Sequence, residues 1–262
     1  MNGIIELNLV QFGLVYVLLI IVLAIMKKSR INQTRLLLVA SLRMTVQLVL
    51  AGLILTYIFS NPHPLFTMLY VGAMIGFSIH RVLSKNPQIN SRFKWIIGLS
   101  LAGSGLLIEV FFIKAVIATD LFNPQYAIPL SGMIFGNTMT GMNLALKSFT
   151  ESIEAEKSKV ETLLNLGVKP RKILLPFVNN SLEMALLPTM NSMIGMGIVS
   201  LPGMMTGQIL SGTLPMTAIL YQIAIMIAIC TVVCLAVFAS LHFGHKTLYN
   251  SRNQLLIPGW NN

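Results

Sequence analysis

Apolar residues run along this chain in long blocks, without the alternation of a half-buried strand or the one-sided stripe of a soluble helix. The blocks lie at 8–26, 36–59, 65–84, 95–117, 126–146, 182–201 and 215–241. Each is long enough to cross about 30 Å of hydrocarbon at about 1.5 Å per residue. Within lipid a spanning backbone must satisfy its own hydrogen bonds, and a helix does so. The pattern predicts an all-α, polytopic integral membrane bundle of about seven transmembrane helices, forming one transmembrane domain over residues 1–262.

Two stretches between the blocks have a pattern of their own. The first is a loop at 147–175. Ser148 with Glu151 fits the start of a helix, Gly167 followed by Pro170 fits its stop, and Ile153, Val160, Leu163, Leu164 and Val168 form a partial apolar stripe. It is the one sizeable surface between spans and therefore the place for a soluble partner to dock. The second stretch, 202–214, opens with Pro202 and Gly203 and is too short to cross again, so a short re-entrant helix is expected there. No internal repeat is visible, so symmetry is expected from oligomerisation.

Charge refines this picture. The chain is 55% hydrophobic and only 10% charged, against about 25% charged in soluble domains, so its polar surface cannot coat a water-facing globule. The net charge of +10 would suit a nucleic-acid binder, but 16 of the 18 Lys and Arg residues fall in alternate connections or after the last span. The positive-inside rule places those connections in the cytoplasm, which puts the N-terminus outside and the C-terminus inside. The basicity reports topology, and no nucleic-acid partner is expected. The basic residues follow the first apolar block instead of preceding it, so that block is expected to be retained as a span. The expected location is the cell's inner (plasma) membrane. Cys230 and Cys234 share one face of the last span and read as small core hydrophobes.

Polar residues inside the spans are the candidates for function, because an intramembrane charge costs about 2.5–3.5 kcal/mol on insertion scales and needs a partner or a wet path. Arg43 and Gln47 lie one turn apart in the second span, and Glu109 lies in the fourth. Arg43 and Glu109 are of opposite sign, so they are expected either to pair structurally or to serve the substrate path. The fifth span carries Asn137, Met139 and Asn143, and the sixth carries Asn191 and Met193. Small-xxx-small spacings at Gly132 and Gly136, Gly72 and Gly76, and Gly203 and Gly207 predict close helix approaches. Sixteen methionines offer soft sulfur for a cation such as Cu(I), yet Met is also an ordinary gap-filler in helical cores. The four histidines form no ligand set, and the metal site, if there is one, is left open. The sequence holds no GxxxxGK[ST] phosphate loop, so any ATP would be bound and hydrolysed by another subunit.

Three runs carry a resemblance: 128–139 (Ile-Pro-Leu-Ser-Gly-Met-Ile-Phe-Gly-Asn-Thr-Met), 197–208 (Gly-Ile-Val-Ser-Leu-Pro-Gly-Met-Met-Thr-Gly-Gln) and 248–255 (Leu-Tyr-Asn-Ser-Arg-Asn-Gln-Leu). With the Arg43-x-x-x-Gln47 pair and the 161–170 loop, the chain resembles the FetB-type ABC-transporter permeases, which are linked to iron export, with plant relatives linked to aluminium tolerance. The resemblance implies a homodimeric permease working with a separate ABC ATPase subunit that carries ATP and Mg, while this chain is no enzyme and binds no cofactor. It implies export of a metal ion such as iron, although a small solute also fits. The run from Glu161 to Gly167 looks like the ATPase-coupling motif of such permeases, a Glu six residues before a Gly, but without their usual Glu-Ala-Ala. The competing expectation is an ion-coupled secondary transporter of a small solute, for which only Glu109 supplies a deep carboxylate; a membrane enzyme ranks below both.

Overall fold

In a computed structural model the described residues are 8–250 with 254 and 255. Nine α-helices follow in order: α1 (Leu9–Lys28), α2 (Thr34–Ser60), α3 (Pro64–Lys85), α4 (Ser91–Phe111), α5 (Pro124–Ala155), α6 (Lys157–Asn165), α7 (Pro170–Gly195), α8 (Gly203–Leu210) and α9 (Pro215–Gly244). A π-helical turn, Phe112–Ile117, prolongs α4, and a 3-10 turn, His245–Leu248, follows α9. Five helices, α1 to α4 and α9, are long and apolar enough to cross a membrane. The other two long helices, α5 and α7, have the length but are interrupted by polar and charged residues.

The helices run up and down between two ends. At one end, called here the basic end, Asn90 caps α4 by accepting from Phe93 N at 2.7 Å and donates to the Thr247 carbonyl at 3.0 Å, tying the start of α4 to the chain after α9. An N-cap of this kind is worth about 1 kcal/mol. At the opposite end the Thr67 hydroxyl donates to the Phe122 carbonyl at 3.1 Å, joining the start of α3 to the connection before α5.

The core lies among α4, α5, α7 and α9, with α3 laid along α5. Three glycines let these helices close. A Cβ on Gly105 would run into the Phe135 ring, one on Gly141 would lie 2.6 Å from Val233, and one on Gly244 would run into the Phe93 ring. The glycine pairs chosen by spacing do not serve this way within one chain. A Cβ on Gly132 would touch only the end of Met74, and Gly72, Gly76, Gly136, Gly203 and Gly207 have nothing within 4 Å. By contrast α1 and α2 stand at the margin: among the described side chains α1 buries none and α2 buries only Ile58.

Two expected boundaries move. No helix begins at Ser148; α5 runs unbroken from Pro124 to Ala155, 32 residues and about 48 Å, longer than the roughly 30 Å thickness of a hydrocarbon layer. The sixth apolar block begins at 182, but its helix begins at Pro170, whose fixed φ suits a first helical turn. Arg171, Lys172, Asn179 and Asn180 hide those opening turns from a hydropathy reading. The same helix ends early, at Gly195, where Met196 turns extended and Gly197 takes a φ of +83°. Residues 203–210 form the short helix α8, packed on α9.

Candidate functional site

Two cavities lie end to end in the groove between α3 and α5. The one toward the opposite end is apolar, about 400 Å3, and is lined by Tyr70, Met74, Phe77, Gly132, Gly136 and Met139. The one toward the basic end, about 440 Å3, is lined by polar and charged side chains, among them Arg81, Lys85, Thr140, Asn143 and Lys147. Met139 lines both, so the two adjoin at that residue along the α3–α5 groove. Helical spacing explains the lining. Phe77, Arg81 and Lys85 recur every four residues on α3, and Met139, Asn143 and Lys147 do so on α5, each set forming one stripe.

Arg43 reaches this groove from α2. Its guanidinium carbon stands 5.8 Å from the centre of the Phe77 ring, a cation–π contact. It does not pair with Glu109, because the two lie at different depths. Arg43 is nine residues along α2 from Thr34, whereas Glu109 is eighteen along α4 from Ser91, and both helices leave the basic end. The nine-residue difference is about 13 Å of rise. Glu109 is buried and turned toward α5, where Ser131 donates to its Oε1; its Oε2 has no partner.

The remaining candidates divide. Met139 and Asn143 line the groove, and the buried Oδ1 of Asn143 is unpartnered while its Nδ2 donates to the Met139 carbonyl at 2.8 Å. Asn137 is exposed on α5, its Nδ2 bonded back to the Met133 carbonyl at 2.7 Å. Gln47 is exposed on α2. Asn191 and Met193 are exposed near the end of α7, away from the groove. Met139 and Asn143 thus line the groove and Arg43 stands against its Phe77, whereas Gln47, Glu109, Asn137, Asn191 and Met193 lie outside it.

At the basic end α6 forms a compact knob. Glu161 is exposed and faces Lys157 at 3.8 Å, one turn before it. Gly167, with φ +78°, ends the helix in a Schellman motif: Val168 N donates to Leu163 O at 3.0 Å and Gly167 N to Leu164 O at 2.9 Å. Leu163 and Val168 both pack on the core, so the knob is anchored from beneath. Beyond Gly167, Pro170 opens α7 directly.

One residue escaped the sequence reading. Glu183 lies exposed midway along α7, on a face it shares with Asn180, Leu187 and Met190. Among the described residues it has no ion-pair partner. Its signal was present, a carboxylate one residue before Met184 in an otherwise uncharged run, but it fell at the edge of a span drawn from hydropathy alone.

Comparison with known sequences places this arrangement. The profile described as Uncharacterised protein family (UPF0014) matches residues 9–249. The chain belongs to the UPF0014 family. UPF0014 membrane protein slr1647 of Synechocystis is 34% identical over 260 residues, which is 98% of this chain and 99% of that protein. The Escherichia coli (strain K12) protein named "Probable iron export permease protein FetB" is 29% identical over 252 residues, 95% of this chain and 96% of that one. Protein ALUMINUM SENSITIVE 3 of Arabidopsis thaliana is 33% identical over 188 residues, 70% of this chain and 66% of that protein. No solved structure matches the chain. As a UPF0014 member with five helices long and apolar enough to span, it is a multi-pass membrane protein.

Proposed function

We propose that this chain is the membrane-spanning permease subunit of an ATP-driven, ABC-type exporter of a metal ion, iron being the cargo in the name of its Escherichia coli relative. It works as a homodimer in the inner membrane with two copies of a separate ATPase, which bind ATP and Mg. The observation that carries this reading is the knob at the basic end. A short helix locked by a Schellman turn and seated on the core is rigid enough to pass a nucleotide-driven movement to the long helices α5 and α7 that flank it. The chain itself has no phosphate loop, so ATP would be bound and hydrolysed by a partner, and by the positive-inside rule the knob would lie in the cytoplasm where an ATPase would meet it.

A second reading, an ion-coupled secondary transporter, draws on Glu183, since an exposed carboxylate midway along a spanning helix suits ion coupling. One experiment separates the two. The chain is co-expressed and co-purified with the ABC ATPase encoded beside its gene, and ATP hydrolysis in lipid is measured with and without iron. A stable complex whose hydrolysis responds to iron, and which loses that response with Glu161→Lys, supports the exporter. Absence of any ATPase partner, together with transport driven by an ion gradient alone, would replace it with the second reading.

A further inference from the structure

Positive-inside topology explains why cations gather at the basic end, but it does not explain why they converge on one groove. Lys85 and Arg81 follow each other up α3 at a spacing of four residues, Phe77 continues the stripe, and Arg43 stacks on that ring from α2. Lys147 faces them from α5 across the same cavity. The one carboxylate in its lining, Glu151, lies 3.7 Å from Lys147 and offsets only part of this charge. Three cations and one carboxylate around about 440 Å3 leave a positive chamber. Above Lys147 the α5 stripe turns neutral but stays polar, with Thr140 and Asn143, and the buried Oδ1 of Asn143 lacks a donor.

A bare metal cation gains nothing from this chamber. It would meet net positive charge at the mouth, where Glu151 is already paired with Lys147, and beyond it only neutral side-chain oxygens such as those of Thr140 and Asn143. An anion of that size is held at the rim by Arg81, Lys85 and Lys147, and a hydroxyl on it that reaches the buried Asn143 Oδ1 would supply the donor this oxygen lacks. A phospholipid headgroup would also bind the cations, since basic pockets between helices on this side of a membrane take anionic headgroups. The polar lining, however, continues from Lys147 to Thr140, seven residues or about 10 Å along α5, deeper than an interfacial headgroup needs.

We propose that the α3–α5 groove is an anion-binding entrance. On the export reading above, on which this part rests, the metal arrives there as a negatively charged hydroxycarboxylate complex and not as a free ion. The groove then selects the chelate by charge at the rim and by the hydroxyl acceptor within.

The test uses the full chain in nanodiscs of zwitterionic lipid, titrated with iron-free citrate and with ferric citrate. Binding should be saturable, weaken with salt, fall at least tenfold in the Arg81→Gln, Lys147→Gln double variant, and survive in Lys246→Gln, whose charge lies at the same end but outside the groove. Arg81→Lys keeps the charge and should retain most of the binding, which separates recognition from misfolding. Equal citrate binding by the double variant, or none by the natural chain, overturns the proposal. So does retention of anionic phospholipid that depends on Arg81 where citrate fails to bind, for the site would then hold a headgroup. With the ATPase complex, citrate binding without movement of iron in any form would leave the anion site standing and remove the export reading. Equal transport of unchelated ferrous ion by the natural chain and the double variant would do the reverse.

Discussion

Ser131 donates its hydroxyl to Oε1 of Glu109, joining α5 to α4 inside the core, and no basic side chain stands within ion-pair distance of that carboxylate among the described residues. The same hydroxyl lies 2.6 Å from the Ala127 carbonyl, so a single hydrogen is shared between two acceptors. Glu109 therefore acts here as a helix-to-helix contact and not as half of an ion pair. Ser131→Ala leaves a buried carboxyl without its partner and should destabilise the protein by about 1–3 kcal/mol. Glu109→Gln keeps a group that can bond to Ser131 and should cost less. Thermal unfolding of both variants in detergent checks the order, and an equal or larger loss in Glu109→Gln would contradict it.

Gly167 occupies the left-handed region because the Schellman turn needs it there. An alanine at that φ costs about 1–2 kcal/mol, concentrated in the turn that ends the knob. If the chain works with the proposed ATPase, Gly167→Ala should lower coupling to it more than it lowers overall stability, and Gly167→Asn, which tolerates the conformation better, should recover part of the loss. ATPase stimulation measured beside the melting temperature distinguishes a loosened knob from a loosened fold.

At the basic end Gly244 lies directly against the ring of Phe93. Gly244→Val has no room without moving α4 from α9, and overpacking of this kind costs about 1–3 kcal/mol. Adding Phe93→Leu should return part of the stability, because the smaller side chain vacates the space the valine takes. Non-additivity in a double-mutant cycle of unfolding is the readout.

Topology is testable from the helix ends. After Cys230 and Cys234 are replaced by alanine, single cysteines at Ser158 in α6 and at Thr119 before α5 should label from opposite sides of the membrane, Ser158 from the cytoplasm. Labelling of both from one side would break the alternation of α5 with its neighbours.

Much of this arrangement is legible in the primary structure because it depends on composition along a single helix. Long apolar runs specify spanning helices, Gly167 and Pro170 mark the end of one helix and the start of the next, and the basic residues settle at one end. The boundaries of α5 and α7 were hidden for a related reason. Hydropathy sees lipid exposure, whereas Arg171, Lys172, Asn179 and Asn180 belong to a helix whose apolar neighbours Ile173, Leu174, Phe177 and Val178 face the core.

What the chain determined by itself is local: the apolar helices, the glycine stop at Gly167 and the charge at each end, all fixed by residues within a turn or two of one another. What only the tertiary structure decided is which side chains meet. Arg43 and Glu109 looked like partners because each is a charge inside an apolar block, but helix lengths and directions set them about 13 Å apart in depth. Spacing likewise could not tell Gly141 and Gly244, which crossing helices need, from Gly72 and Gly76, which they do not. The α3–α5 groove is of the same kind, since Arg81 and Lys147 are far apart in sequence and meet only because two helices running in the same direction turn their stripes to one cavity. Contact between side chains depends on the relative depth and rotation of whole helices, and neither quantity is written in any one of them.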